Sequence, residues 1–491
     1  MKPSKIWWFL VVLLSVILLV PSLFSVGEID FRFFKLKIPQ YSWFKPTPKP
    51  EYKDISRIIK LTTLLTDSSS KFPPPLKKTN NDSLKSIGID TSAFRTDTLR
   101  SIIQNIEFPV GYDSLLFPLF RVFSAMPEQK KLIRILHYGD SQIEGDRITS
   151  YFRNQMQNRF GGDGIGMIPV VAISPSSISY VYDVSENWNR YAILNSAKNS
   201  GISNYGVLGS FSRFSNSSSL LKQDSEGWIL LKYSNIPYSK ASRFGLCKLI
   251  MGGNKSPVYI ELKKKQTVLD ADIYPANKEL KIVEWKVDSG ARNLMISFKG
   301  KDSPDLYAIS LDSESGIAVD NIPLRGSSGL EFTRLFKSPY NTILKTLNVK
   351  FVILQFGVNA VHAMPHNIKG YEKSFRQQLK ALRASDPQLP ILVIGVSDLS
   401  QKSEKGYTTN EAVEKIRDAQ KRAALESGCA FWDLYEAMGG KNSMPSWVFA
   451  NPPLAQKDFT HFSPLGAKLV GEMFYRSLMA EYEKFLIQTS N

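Results

Sequence analysis

Residues Ile133–Arg147 read I-R-I-L-H-Y-G-D-S-Q-I-E-G-D-R, and this stretch decides which fold we expect. The apolar run Leu132–Tyr138 has the length and composition of a buried strand. It ends at Gly139-Asp140-Ser141, and an amphipathic helix pattern follows. Strand, tight turn and helix together form the place where an open parallel sheet presents a side chain to its crevice. The pattern leaves two interpretations open: Ser141 is a nucleophile, or it only caps the helix.

A histidine near the C-terminus favours the nucleophile. The segment Asp458-Phe459-Thr460-His461 comes just before a predicted helix start at Ser463-Pro464. On a loop, a carboxylate three residues before a histidine can orient one ring nitrogen while the other faces a serine. The chain has four histidines, and only His461 has such a carboxylate. The other three are His137, His362 and His366.

Three motifs together resemble the SGNH/GDSL hydrolase family: Gly139-Asp140-Ser141, Gly357-Val358-Asn359 and Asp458-x-x-His461. Members of this family are esterases, lipases and deacetylases of acylated carbohydrates, built on a flavodoxin-like, three-layer α/β fold with a parallel sheet. The resemblance therefore implies a catalytic triad of Ser141, Asp458 and His461.

The resemblance also implies an oxyanion hole with three hydrogen-bond donors. These are the backbone N–H of Ser141, the side-chain amide of Asn359 and the backbone N–H of a glycine in a second motif. Gly326 is our candidate for this glycine, because it follows a predicted strand and precedes the Asn359 motif by about one β-α unit. Gly206 and Gly209 remain alternatives with a weaker strand context.

Other residues resemble the branch of peptidoglycan O-acetylesterases, in which a β-sandwich is inserted between the first and second motifs. They are Asp146-Arg147 and the glycine-rich stretch 159–166. Two positions depart from the family pattern: Gln142 stands where the usual motif has leucine, and Ala360 stands where aspartate is frequent. Neither change removes a group of the triad, but both leave the substrate subgroup open.

The periodicity becomes strand-like between residues 206 and 315, where short β segments alternate with turns. Such spacing predicts a sandwich or jelly roll, similar in position to a carbohydrate-binding insert. Elsewhere predicted strands alternate with helices, which predicts a doubly wound parallel sheet. We therefore divide the chain into a membrane anchor, a linker or stalk, the first part of the hydrolase domain, an inserted all-β module and the second part of the hydrolase domain. The ranges are 1–26, 27–110, 111–205, 206–315 and 316–491.

The N-terminus predicts export. Lys2 and Lys5 precede a mostly apolar run, Ile6–Val26, close to the ~20 residues that span a bilayer as a helix. No small-residue cleavage site is evident, so an uncleaved transmembrane helix with an exported body is favoured over a secreted, processed protein.

Charge and cysteine content limit the partners. The net charge of +17 favours anionic surroundings such as acidic glycans, a cell-wall polymer or lipid head groups. No nucleic-acid-binding motif accompanies this charge. Cys247 and Cys429 fall in different predicted domains, so neither a disulfide framework nor a cysteine-based metal site is predicted. We predict no cofactor and no metal, and the oligomeric state stays open.

The predicted function is a serine esterase that removes O-acyl groups, in particular O-acetyl, from an envelope or extracellular polysaccharide such as peptidoglycan, through the triad of Ser141, His461 and Asp458. Two alternatives stay open at this point. The same residues would serve an O-acyltransferase that acylates an envelope polymer, or the fold would be a catalytically silent glycan-binding protein.

Overall fold

The computed structural model describes most of the chain, and the helices and strands below belong to those residues. The described ranges are 3–23, 28–31, 34–37, 52–67, 104–172, 177–194, 202, 204–215, 224–232, 238–288, 293–335, 340–404 and 406–490. The predicted stalk, 27–110, lies largely outside them.

The helices are α1 Pro3–Leu23, α2 Ser56–Asp67, α3 Phe117–Ala125, α4 Thr149–Phe160, α5 Phe332–Leu335, α6 Tyr340–Thr346, α7 Val358–Ala363, α8 Ile368–Ser385, α9 Ala412–Glu426, α10 Leu434–Ala437, α11 Ser443–Phe449 and α12 Pro464–Ser490. The strands are β1 Glu28–Phe31, β2 Phe34–Lys37, β3 Ile106–Glu107, β4 Leu132–Gly139, β5 Gly166–Ile168, β6 Val181–Val184, β7 Trp188–Ala192, β8 Ser210–Phe214, β9 Ser225–Lys232, β10 Leu246–Gly252, β11 Val258–Lys264, β12 Thr267–Tyr274, β13 Lys281–Lys286, β14 Leu294–Gly300, β15 Asp305–Asp312, β16 Gly316–Pro323, β17 Val349–Gln355, β18 Ile391–Ile394, β19 Ser400–Ser403, β20 Gly406–Thr409 and β21 Ala430–Trp432.

The sheet that carries the serine motif has the strand order β16-β4-β17-β18-β21-β3. Its strands are parallel except for the short edge strand β3. Every residue of β4 after Leu132 is buried, as expected for a strand covered on both faces. The predicted parallel sheet is confirmed.

Helices cover both faces of this sheet. Successive side chains of a strand point to opposite faces, so a strand made of apolar residues must be covered on both sides. Leu136 joins an apolar cluster with Phe375 of α8 and Ile416 of α9. Its neighbour Ile135 joins a second cluster, with Phe152 of α4 and residues of α3 and α12. The result is the three-layer arrangement that the sequence predicts.

Two antiparallel sheets pack around a third apolar cluster, which includes Ile260, Phe298 and Leu249. One sheet has the order β13-β10-β15-β8-β7, with β5 also paired to β15, and the other has the order β12-β11-β14-β9-β6. Strands β5, β6 and β7 lie before residue 206 in the chain. The sheets thus include residues that the sequence pattern assigned to the hydrolase domain, and the domain boundaries stay a prediction.

A buried cluster of charges joins the parallel sheet to an antiparallel one. The guanidinium of Arg134 on β4 pairs with Asp320 on β16 at 2.7 Å and with Asp312 on β15 at 2.5 Å. Asp320 also accepts the backbone N–H of Met167 at 2.7 Å. Because these side chains are almost fully buried, their charges stabilise the fold only while all three are present.

The prediction of a transmembrane helix is wrong. The described residues of 1–51, together with 403–406, form a compact unit apart from the rest of the chain. Helix α1 lies in this unit and contains Lys5, Ser15 and Pro21. A spanning helix must be both long and apolar enough for the bilayer, and none of the helices in the described ranges meets both conditions. Export of the body stays a prediction.

Candidate active site

The proposed site lies at the edge where the parallel strands β4, β16, β17 and β18 end. Gly139 ends β4 beside β17, and a Cβ at this position would lie only 2.9 Å from the carbonyl oxygen of Gln355. The backbone N–H of Asp140 donates to the same carbonyl at 3.1 Å. This close approach fixes the start of the serine turn, which we define as residues 140–147.

The histidine loop, defined as residues 451–463, connects α11 to α12. The N–H of Gln456 donates to the carbonyl of His461 at 2.8 Å, so the loop folds back on itself. At its end, Ser463 Oγ accepts the N–H of Gly466 at 3.1 Å and caps α12, as the sequence predicts. Only glycine fits at position 466, because a Cβ there would lie 1.8 Å from the carbonyl oxygen of Leu454.

The two segments bring the predicted triad residues together. Ser141 Oγ lies 2.9 Å from His461 Nε2, and His461 Nδ1 lies 2.7 Å from Asp458 Oδ2. The histidine side chain is 28% exposed and the aspartate side chain 45%, so the relay opens to solvent. This geometry lets the imidazole accept the hydroxyl proton while the carboxylate fixes its tautomer.

The carboxylate of Asp458 is held in its charged form. Partial burial raises its pKa, but hydrogen bonds from the backbone and side chain of His461 and from the Thr460 N–H lower it more. The net pKa is below the usual value for aspartate, because these donors stabilise the charged oxygens. Asp458 therefore remains an acceptor for the imidazole in the acid range where a free aspartate would titrate.

Asp140 connects the serine turn to the Asn359 motif. Its carboxylate accepts backbone N–H groups of Gln142, Gly357 and Val358. Burial raises the pKa of Asp140 to about 6, although these N–H donors lower it. Gly357 adopts φ 138° and passes so close to Val396 that a Cβ would lie 2.5 Å from the Val396 Cβ. A side chain at position 357 would push the Asn359 motif away from Asp140.

The three hydrogen-bond donors that the sequence predicts for an oxyanion are those of Ser141, Gly326 and Asn359. Among the described residues, the backbone N–H groups of Ser141 and Gly326 have no hydrogen-bond partner. Gly326 lies on an exposed turn after β16 with φ 88°. Asn359 Nδ2 donates one hydrogen to the carbonyl of Ser327 at 2.9 Å, which leaves its second N–H for a ligand.

The backbone N–H groups of the alternative glycines, unlike that of Gly326, have hydrogen-bond partners. Gly206 and Gly209 are buried, and their N–H groups donate to Asn204 Oδ1 at 3.2 Å and to the Gly206 carbonyl at 3.0 Å. Both donors are already engaged inside the fold. The available N–H of Gly326 is the observation that favours it.

The remaining histidines lie apart from the relay. His137 is buried, with hydrogen bonds to Gln355 and Thr149. Burial lowers the pKa of His137 to about 4; the Gln355 hydrogen bond raises this pKa, and the charge of Arg153 lowers it further. His362 and His366 are exposed. No group of three His, Cys, Asp or Glu side chains in the described part of the chain could hold a metal ion.

Sequence reasoning missed two contacts of the serine turn. Arg147 donates through Nη2 to the carbonyl of Ser141 and through Nε to the carbonyl of Glu144 at 2.9 Å. Gln142, which is 2% exposed, donates to the carbonyl of Thr460 at 2.7 Å. The departure from leucine at position 142 was the signal for the second contact.

A cavity of about 50 Å³ lies beside the serine turn. Glu144 borders it, and the N–H of Glu144 donates to the carbonyl of Ser141 at 3.3 Å. Its lining is both polar and apolar: Glu144, Gly145, Asp146, Arg153, Ile165, Met167, Ile168, Pro169, Ser177, Tyr180, Asn321 and Pro323.

The sequence matches the model of the GDSL-like Lipase/Acylhydrolase family over residues 298–469. This segment contains Gly326, Asn359, Asp458 and His461, while Ser141 precedes it. No curated protein matches the chain in sequence.

The chain also resembles solved structures of esterases. A peptidoglycan O-acetylesterase has a TM-score of 0.58 with 19% identity, covering 75% of this chain and 96% of that one. An acetyl xylan esterase has a TM-score of 0.26 with 14% identity, covering 33% of this chain and 81% of that one. A carbohydrate esterase family 3 protein from Talaromyces cellulolyticus has a TM-score of 0.25 with 14% identity, covering 34% of this chain and 72% of that one. Of these three, the peptidoglycan O-acetylesterase is the one whose likeness bears on the fold.

The family match confirms the resemblance and the enzyme class that the sequence predicts. The protein therefore contains a GDSL-like lipase/acylhydrolase domain and is, by that domain, a carboxylic ester hydrolase.

Proposed function

We propose that the protein is a serine esterase that removes small O-acyl groups, acetyl above all, from a cell-envelope or extracellular polysaccharide such as peptidoglycan. The observation that carries this proposal is the relay of Ser141, His461 and Asp458 at hydrogen-bonding distances. The available donors of Ser141, Gly326 and Asn359 support it.

In the proposed reaction, Ser141 Oγ attacks the acyl carbon and His461 Nε2 takes its proton. The donors around the site stabilise the oxyanion of the tetrahedral intermediate. His461 then gives the proton to the leaving sugar oxygen, which leaves an acyl group on Ser141. A water molecule, deprotonated by the same imidazole, attacks this acyl group and releases the free acid.

One feature of the site favours an anionic polymer. Arg325 precedes Gly326, and its side chain is 60% exposed. Its Nη1 lies 3.5 Å from Glu144 Oε1. Its exposed charge favours a carboxylate-bearing glycan. The fold likeness to a peptidoglycan O-acetylesterase agrees with this substrate class.

Turnover of p-nitrophenyl acetate by the wild-type protein and by Ser141→Ala tests the nucleophile. Ser141→Ala should lose the esterase activity, because no hydroxyl remains to attack the ester. Ser124→Ala is the matched control and should keep it, because this serine lies on α3 and its hydroxyl bonds to the Tyr482 hydroxyl at 3.1 Å and to no residue of the relay. Equal rates for wild type and Ser141→Ala would remove the nucleophile assignment.

Release of acetate from O-acetylated peptidoglycan, compared with acetylated xylan, tests the polymer. We expect faster release from peptidoglycan. Transfer of acetyl to an added glycan, instead of release as free acetate, would favour an acyltransferase. Glycan binding with no turnover of any ester would favour a silent binding protein.

A further inference from the structure

Gln142 follows the proposed nucleophile directly, yet its side chain contacts the segment that carries the histidine. Its Nε2 donates to the carbonyl of Thr460 at 2.7 Å, and the same nitrogen lies 3.3 Å from Ser397 Oγ. Thr460 is the residue before His461. One buried amide therefore connects the ends of β4 and β18 with the histidine loop.

Two hydrogen bonds join the serine turn to the histidine loop within the described part of the chain. One is the bond between Ser141 and His461, and the other is the bond between Gln142 and Thr460. The first must break during the proposed reaction, because Ser141 Oγ becomes acylated and His461 gives its proton to another oxygen. The second involves no reacting atom and persists through every step.

The Thr460 carbonyl has a physical need for this donor. Thr460 is half-buried, and a carbonyl partly shielded from water that loses its hydrogen bond lacks the interaction that water gives it in the unfolded chain. Without Gln142, the loop at Thr460 would move toward solvent and carry His461 with it. A displacement of about 1 Å at a reacting group costs on the order of a hundredfold in rate.

We propose that Gln142 is a positioning residue that keeps His461 within reach of the Ser141 oxygen through Thr460 while their direct bond is broken. This inference rests on the proposed function, because it assigns a role within the same reaction. The buried Gln142 Oε1 has no hydrogen-bond partner among the described residues, so the donor end of the amide carries the role.

Two substitutions of similar length separate the donor from packing. Gln142→Met keeps an unbranched side chain of similar size and removes the N–H donor. We expect kcat for p-nitrophenyl acetate to fall about 10- to 100-fold, with KM within about twofold, because ground-state binding of the ester does not use the amide. Gln157→Met is the matched control: it removes an equally buried glutamine donor, which bonds to the carbonyl of Gly164 at 2.9 Å and lies on α4 outside the serine turn and the histidine loop. It should keep the wild-type kcat.

Gln142→Glu gives a signature that a packing role would not give. A carboxyl buried at this position would have a raised pKa, and its protonated form donates an O–H to the Thr460 carbonyl. Its ionised form repels that carbonyl. Activity relative to wild type should therefore be highest at low pH and fall as pH rises through the pKa of the new carboxyl. The signature is a change with pH in the activity of one variant, and loss of packing alone would not produce this pH dependence.

Labelling of Ser141 by a fluorophosphonate, followed across the same pH range by mass spectrometry, reads the Ser141–His461 contact without an ester substrate. We expect the Gln142 variants to label more slowly than wild type, with the same pH signature for Gln142→Glu. The inference would be overturned if Gln142→Met had the labelling rate and the kcat of the wild type. It would also be overturned if the defect of Gln142→Glu were equal at every pH. Slowed labelling in a protein that hydrolyses no ester would keep the inference and reject the proposed function.

Discussion

Asn359 donates a hydrogen bond of 2.9 Å from Nδ2 to the carbonyl of Ser327, the residue after Gly326. This bond connects the end of β17 to the turn after β16, so one side chain fixes the position of another proposed donor. The Ser327 hydroxyl is itself bonded to Glu331 and accepts the N–H of Gly329 at 2.8 Å. In the proposed oxyanion hole, Asn359 would therefore have two effects: it would supply an N–H, and its bond to Ser327 would hold the Gly326 turn.

Asn359→Ala should lower kcat for p-nitrophenyl acetate by about 10² to 10³, because one donor to the oxyanion is lost. KM should change little, since the donor is needed most where negative charge develops. Steady-state kinetics check this result. Asn367→Ala, which removes the side-chain cap of α8, is the control and should keep the wild-type kcat. An unchanged kcat in Asn359→Ala would exclude its amide from the oxyanion hole.

Asp458→Asn should lower kcat by about 10² to 10⁴, because an amide can hold the wrong imidazole tautomer and cannot stabilise the imidazolium that forms. The pKa of Asp458 is below its usual value, so the carboxylate stays charged through the acid range. Asp288→Asn, on a side chain that is 90% exposed, is the control for kcat. Comparable rates for Asp458→Asn and wild type would contradict the relay.

His137 should make the fold less stable in acid. Burial lowers its pKa in the folded chain to about 4, below the 6.5 of a free histidine. The unfolded chain therefore binds a proton between pH 6.5 and 4 that the folded chain does not, and folding stability falls as pH falls through this window. The effect is about 3 kcal/mol for a shift of this size.

His137→Gln should remove this contribution, because a glutamine does not titrate. Calorimetric Tm values at pH 7, 6, 5 and 4 check it. The Tm difference between wild type and variant should change steadily across the window in favour of the variant at low pH. A difference that stays constant with pH would show that His137 titrates in the folded chain as it does in the unfolded one.

Arg134→Met should destabilise the fold by about 3–5 kcal/mol, because it leaves Asp312 and Asp320 buried with no cation beside them. Denaturant unfolding followed by fluorescence measures the loss. Lys286→Met is the matched control, since it breaks an exposed pair with Glu314. It should leave the unfolding midpoint unchanged. Equal midpoints for Arg134→Met and Lys286→Met would show that the buried cluster contributes nothing to stability.

The sequence alone predicted the local elements around the proposed site. The apolar run ending at Gly139 gave β4, and the Ser463-Pro464 pair gave the start of α12. Alternating strands and helices gave the parallel sheet. These features depend on hydrophobic periodicity and on caps, which act over a few neighbouring residues. For the same reason Ser141, Asp458 and His461 could be chosen before any contact between them was known.

The apolar run near the N-terminus shows where such patterns mislead. Its composition predicted a membrane span, yet no described helix is long and apolar enough for one. The pairing of β6 and β7 with strands that follow them by many residues was not predicted either, because short segments give little periodicity.

Only the tertiary structure decided how the chosen residues are held. The contacts of Gln142 with Thr460 and of Asn359 with Ser327 join positions far apart in the chain. A hydrogen bond depends on distances of a few tenths of an ångström, which the packing of sheets and helices sets. Sequence periodicity fixes which face of an element is buried, but the donor that meets each carbonyl is determined only when distant segments have packed together.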